Sequence, residues 1–195
     1  MASEDSPGGD LETLHALIAD MIEVGRDLWE ARLVSSHGGN LSVRWEKGAA
    51  ITKHGAMMHR LQPDHFVAVD SRGRPSSTGQ TAEPSSDTPV HLAIYREVAE
   101  AQAVAHAHPV YAVASSLEWG AINPTTVGAE MLGRVPVLTV PEEEVADAVA
   151  HELIEHRAVL VRAHGVFARG AHPWEALQVI SVLEESAMIL HLREH

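Results

Sequence analysis

Apolar residues recur at helical spacing at the start of the chain. Leu11, Leu14, Ile18, Ile22 and Leu28 can share one face, which predicts a helix over 11–33. The stretch SSHGGN (35–40) breaks that period, and LSVRW (41–45) then alternates as a strand does. AAITKHG (49–55) and HFVAVD (65–70) predict two more strands, with SRGR (71–74) as a turn after the second. RPSSTGQTAEPSS (74–86) has no apolar period and predicts a polar loop. A helix is expected to start near Asp87 or Thr88, with Ser86 available as a cap and Pro89 in the first turn, and to run through Ile94 and Val98.

The second half predicts a buried strand (103–108), a short helix after Pro109, a loop about GAINPTT (120–126) and a strand at VPVLTV (135–140). An acidic-started helix (142–156), a strand (158–165), its hairpin partner (166–170) and a last helix at roughly 173–193 complete the chain. Helices lie between strands and hairpins without strict βαβ repetition. That pattern predicts the α/β class, with one mixed sheet covered by helices.

Composition narrows the picture. A chain of 195 residues, 45% of them hydrophobic, can build one sizeable core, so 11–195 is expected to be one domain behind a disordered N-terminus at 1–10. The net charge of −13 disfavours nucleic acid and anionic membrane as partners. No run approaches the roughly 18 apolar residues of a membrane span. The opening MASEDSPGGD lacks a signal peptide's basic and apolar regions, so a soluble, cytoplasmic protein is expected. There are no cysteines, which leaves His, Asp and Glu as metal ligands, and the 14 histidines exceed what packing asks for.

Two of those histidines stand in AVAHAHPVYA (103–112), a run of small apolar residues. On a strand His106 and His108 share a face, with Ala107 on the other. Either they are separate, hydrogen-bonded core histidines or they hold one ion. LVRAHGVFARG (160–170) repeats the oddity, because His164 ends an apolar strand and precedes a glycine. A third imidazole there could complete a three-histidine site with an open position, the arrangement of a catalytic metal. His15, His151, His156 and His195 are expected at the surface.

PSSDTPVH (84–91) sets Ser85 and Ser86 at a helix start, where free N–H groups and the dipole favour an anion, unless Ser86 is only a cap. Asp87 and His91, four apart, could face the same side and simply pair. In HGGNLSVR (37–44), Gly38 and Gly39 allow close backbone approach, and Asn40 bonds an oxyanion or completes a turn. ITKHG (51–55) ends a strand with Lys53, His54 and Gly55, which either join a pocket or form an exposed strand end.

Taken together and in this order, GGNLSVR, ITKHG, PSSDTPVH, AHAHP and VLVRAHGVFARG resemble the class II aldolase/adducin family, in register from about residue 11 to 193. The resemblance implies a single-domain α/β/α sandwich around a mostly antiparallel mixed sheet, and a homotetramer with active sites at subunit interfaces. It also implies one divalent metal per subunit, zinc first, with manganese or cobalt as alternatives. The ligands fall on His106, His108 and His164, and the proton-transferring carboxylate on Asp87, which in the epimerases of the family also ligates the metal. Phosphate-binding positions fall on Asn40, Gly55, Ser85 and Ser86; Gly39 and Lys53 are assigned to substrate binding beside them.

The implied activity is metal-dependent cleavage of a phosphorylated ketose, through an enediolate, to dihydroxyacetone phosphate and a short aldehyde. Alternatives on the same site are a sugar-phosphate 4-epimerase or a sugar-acid phosphate decarboxylase; a non-catalytic adducin-like module ranks last, because all three metal ligands are present. Four departures bear on the choice. Asp87 stands where the aldolases have Glu; Ala129, with Glu130 beside it, stands at the epimerases' aspartate; and His37, Lys53 and His54 replace smaller neutral residues. The family's C-terminal tyrosine has no counterpart in this sequence, whose tyrosines are Tyr95 and Tyr111, so aldol cleavage is expected over epimerisation.

Overall fold

Short apolar and alternating segments assemble one eight-stranded sheet in the computed structural model, which describes residues 11–76 and 82–194. The segment 1–10, expected to be disordered, lies outside the described residues. The strands are β1 (Asn40–Trp45), β2 (Gly48–Thr52), β3 (Phe66–Val69), β4 (Ala103–Ala107), β5 (Ala121–Ile122), β6 (Val135–Leu138), β7 (Ala158–Val161) and β8 (Gly165–Gly170). Their spatial order is β3-β2-β1-β4-β8-β7-β6-β5, and each neighbouring pair is antiparallel except β6 with β7.

Helices α1 (Leu11–Glu30), α3 (Val110–Glu118), the short α4 (Ala129–Leu132) and α6 (Pro173–Glu194) cover one face, while α2 (Thr88–Glu97) and α5 (Val145–Glu155) pack together on the other. This is the expected α/β/α sandwich in a single domain. Strand alternation divides the core in two. On β4, Ala103, Ala105 and Ala107 face α1 and α6, and their small side chains let α6 lie close against the sheet. Val104 faces α2 and α5 with Ile51, Val67 and Phe167, and His106 follows it on that face, its ring stacked on Phe167 at 4.2 Å.

Three boundaries differ from expectation. The first helix stops at Glu30, where Arg32 takes φ 59° and the Leu33 amide reaches back to the Leu28 carbonyl (2.9 Å), a helix-ending turn built without glycine. Its fully buried face is Met21, Val24 and Leu28, whereas Leu11 is left exposed. The strand expected over 158–165 ends at Val161, so His164 sits in the hairpin turn rather than on the strand. Asp87, not Ser86, occupies the cap of α2, with no side-chain cap bond, because its carboxylate is drawn across to Asn40.

Charged side chains close the helix ends. Arg44 donates to the Ala101 and Val98 carbonyls just beyond α2 (3.0 and 2.9 Å), Arg169 to Leu153 and His156 at the end of α5 (2.7 and 3.1 Å), and Arg162 to Leu117 and Trp119 at the end of α3 (2.7 and 3.4 Å). At the start of α3, Glu184 of α6 accepts the amides of Tyr111 and Ala112 (3.0 and 2.9 Å). It satisfies two free donors at the positive end of the helix dipole. Replacing it by alanine is expected to cost about 1–2 kcal/mol of unfolding free energy. Urea denaturation checks this, and an unchanged midpoint would show that α3 does not depend on Glu184.

Candidate metal centre and its cleft

Three histidines converge where β4 ends. His106 and His108 leave the strand two residues apart, and the β7–β8 turn brings His164 across beside them. One ring nitrogen from each lies within 4.8 Å of the others. His106 is 1% exposed, His108 is half-buried and His164 is exposed, so the cluster grades from the core to an open side.

Each ring has a reason to be where it is. His106 Nδ1 donates to the Val166 carbonyl at 2.9 Å, which leaves Nε2 as the lone-pair nitrogen, 3.0 Å from His108 Nε2. Glycines make room: a Cβ at Gly165 would stand 2.4 Å from the Ala107 oxygen and 2.6 Å from the His108 ring, and one at Gly38 would stand 2.7 Å from His108 Nδ1. The His164 turn is held by Ala163, at φ 60°, whose amide donates to Ser116 Oγ (3.0 Å), and by Arg162, which also donates to Thr139 (2.8 Å). Burial, and then the neighbouring imidazoles, hold the pKa values of His106 and His108 below the ordinary histidine value. Both are therefore neutral near pH 7, the state a metal ligand needs. Neutral imidazoles with convergent lone pairs, one fixed through its far nitrogen, fit a divalent ion of the zinc type.

Asp87 stands beside the three rings, its Oδ2 lying 3.7 Å from His106 Nε2. It does not pair directly with His91. Asn40 stands between them, donating from Nδ2 to Asp87 Oδ2 (2.6 Å) and accepting at Oδ1 from His91 Nε2 (2.6 Å). The Asn40 side chain thus uses its oxygen and one N–H inside the protein, leaving one N–H.

A short ladder builds the opposite wall. Ser85 N–H donates to the Thr52 carbonyl (3.0 Å) and His54 N–H to the Glu83 carbonyl (2.8 Å), with Lys53 bridged to Pro84. These bonds set the end of ITKHG against PSSD, so Lys53 and Gly55, the latter at φ +67°, stand beside Ser85 and Ser86. Every site residue assigned from the sequence lines the same cleft of about 530 Å³. His37 and His54 line it as well, whereas Glu130, on α4, does not. Sequence reasoning missed Glu142, which follows an ordinary strand and carries no local signal. It also missed the buried partners behind Asp87, namely Ser42 and Tyr95; their signal was polar residues at strand spacing on β1 and at helical spacing on α2.

Residues 19–191 match the family described as Class II Aldolase and Adducin N-terminal domain. The chain belongs to that family, and it is an enzyme of the class II aldolase superfamily, whose aldolases use a divalent metal. Among solved structures it is similar to the L-fuculose-1-phosphate aldolase of Thermus thermophilus. The TM-score is 0.84 and the identity 39%, covering 91% of this chain and 94% of that one. It is 29% identical to a methylthioribulose-1-phosphate dehydratase of Pseudoalteromonas translucida, over 89% of this chain and 90% of that protein. It is 30% identical to a 5-methylthioribulose-1-phosphate/5-deoxyribulose-1-phosphate aldolase of Escherichia coli, over 78% of this chain and 72% of that protein. Among the described residues no helix is long and apolar enough to cross a membrane.

Proposed function

We propose that this protein is a metal-dependent carbon–carbon lyase that cleaves a phosphorylated ketose to dihydroxyacetone phosphate and a short aldehyde. The observation that carries the reading is the meeting, in one cleft, of three convergent imidazoles, a carboxylate and a wall suited to an anion. A divalent ion held by His106, His108 and His164, zinc before manganese or cobalt, supplies Lewis acidity toward the substrate's carbonyl and hydroxyl oxygens. Asp87 moves the proton at the carbon that keeps the electron pair when the bond breaks. Lys53, Ser85, Ser86 and the backbone at Gly39 and Gly55 hold the phosphate, so the reacting carbons are presented rather than found by chance. Exposed apolar side chains on α3 (Val110, Leu117) and α6 (Met188, Leu192) support assembly into a homotetramer.

The test is incubation of the zinc-loaded protein with a panel of ketose 1-phosphates, with and without chelator. Triose phosphate released only when metal is present is expected; none released from any of them overturns the reading. Similarity to a dehydratase over nearly its whole length supports a second reading, loss of water from the same kind of substrate. There a proton is taken from the α-carbon rather than delivered to it, and the hydroxyl on the next carbon departs with a proton as water, while the carbon skeleton stays whole. Carbon-13 NMR of the products separates the two, and also reveals epimerisation (skeleton kept, no water lost) or decarboxylation (carbon dioxide released).

A further inference from the structure

A buried line of polar side chains runs from the cleft between β1 and α2. Asn40, Ser42 and Arg44 alternate along β1, and Asp87, His91 and Tyr95 recur every four residues from the cap of α2 onward. The two series interlock. Beyond the bonds of Asn40 to Asp87 and His91, His91 Nδ1 lies 2.6 Å from Ser42 Oγ, and Ser42 Oγ lies 2.7 Å from the Tyr95 hydroxyl. The Arg44 guanidinium closes the far end, 5.0 Å over the Tyr95 ring.

The direction of every bond follows from one end. An ionised Asp87 only accepts, so Asn40 turns its NH₂ toward the carboxylate and its oxygen toward His91. His91 must then carry its proton on Nε2, its Nδ1 accepts from the Ser42 hydroxyl, and Tyr95 donates to Ser42. Turning any member round would aim the Asn40 oxygen at the carboxylate. His91, Ser42 and Tyr95 are 0%, 1% and 5% exposed, and Ile51, Val67, Val104 and Phe167 form the apolar core on the same side of the sheet. Replacing buried, mutually bonded polar side chains by apolar ones of similar shape is often neutral or stabilising for a fold. The polarity therefore serves something other than packing, and one end of the line is Asp87.

We propose that His91, oriented by Ser42 and Tyr95, is a positioning residue for the reaction. It locks the Asn40 carboxamide, which ties down Oδ2 of Asp87 and fixes where the carboxylate points. The role rests on the reading of Asp87 as the proton-transfer group. Glutamine at 91 can still offer an N–H to Asn40 and an oxygen to Ser42, whereas phenylalanine offers neither. His91→Phe is expected to lower kcat about 10- to 100-fold, with KM and zinc affinity within about twofold of wild type. His91→Gln recovers most of that loss, Tyr95→Phe costs a few-fold, and adding His91→Phe to Asn40→Ala costs nothing further. Equal losses in the Gln and Phe variants, a matching change in KM or zinc affinity, or losses that multiply would overturn the proposal.

A second arm does not depend on turnover. In metal-free, ¹⁵N-enriched protein His91 is expected to carry its proton on Nε2. The Asn40 carboxamide signals shift in His91→Phe and hold in His91→Gln, and a crystal structure of His91→Phe shows the Asp87 carboxylate moved. A proton on Nδ1, or an unmoved Asp87, overturns the proposal whatever the enzyme acts on. An inactive wild type with this arm as expected counts against the lyase reading alone.

Discussion

His164→Ala is expected to abolish tight divalent-ion binding and to cut metal-dependent turnover by about 10³-fold or more, with the fold intact. The magnitude follows from what the ion contributes: several kcal/mol of stabilisation for developing charge, at about 1.4 kcal/mol per decade of rate. His164 is the informative ligand because it is exposed and sits in a turn held by Arg162, Ala163 and Ser116 rather than by its own ring. His106→Ala, by contrast, removes a fully buried ring that stacks on Phe167 and bonds the Val166 carbonyl, so lost activity there would mix lost metal with a lost core contact. Calorimetry makes the separation. Zinc at about 100 times its Kd should stabilise the wild type by about 2.7 kcal/mol. The alanine variant should unfold where the metal-free wild type does and gain nothing from zinc. A variant that still takes up zinc and still turns over substrate would remove the basis of the three-histidine reading.

The three-histidine cluster was more legible in the sequence than the bonds that aim the carboxylate beside it, and the reason is physical. A histidine pair on an apolar strand, or His164 before Gly165, violates the local rule that such segments exclude ionisable groups, and a violation can be seen in one dimension. The sandwich was legible for a related reason: alternation on β1 and β4 and helical spacing on α1 are properties of single segments. What could not be read were interactions between segments. The ladder that lays Lys53 and His54 beside Glu83 and Ser85 has no pattern in either stretch, and it converts two weak anion motifs into one wall. Asp87 and His91 at helical spacing could have paired directly, but Asn40, far away in sequence, takes the place between them. Ser86 was available as a helix cap because capping is a local rule, but Asp87 takes the cap position, its side chain drawn to Asn40. Glu142 reaches the cleft only because the chain returns there after β6.

Asp87→Asn is expected to lower kcat by about 10²- to 10⁴-fold, the usual worth of a positioned acid or base. The substitution keeps the shape of the side chain and an oxygen that accepts from Asn40, so the fold and the Asn40–His91 contact should survive. It removes only the ability to hold a transferable proton. The companion variant Asp87→Glu keeps that ability but advances the carboxylate by one C–C bond, about 1.5 Å. In wild type the carboxylate is tied to Asn40 at 2.6 Å and stands 3.7 Å from His106 Nε2, so the advance must break the first contact or crowd the second. A misplacement of that size is worth about 10²-fold. Glutamate should therefore rank between wild type and asparagine, because a misplaced base is still a base. Zinc affinity decides the carboxylate's second assignment. If Asp87 only moves protons, zinc binding in Asp87→Asn stays within a few-fold of wild type; if it also ligates the ion, affinity falls together with kcat. An Asp87→Asn protein that turns over at the wild-type rate would take the proton away from Asp87 altogether. Glu142 would then be the carboxylate left to carry it, since among the described residues that line the cleft no other side chain is an acid.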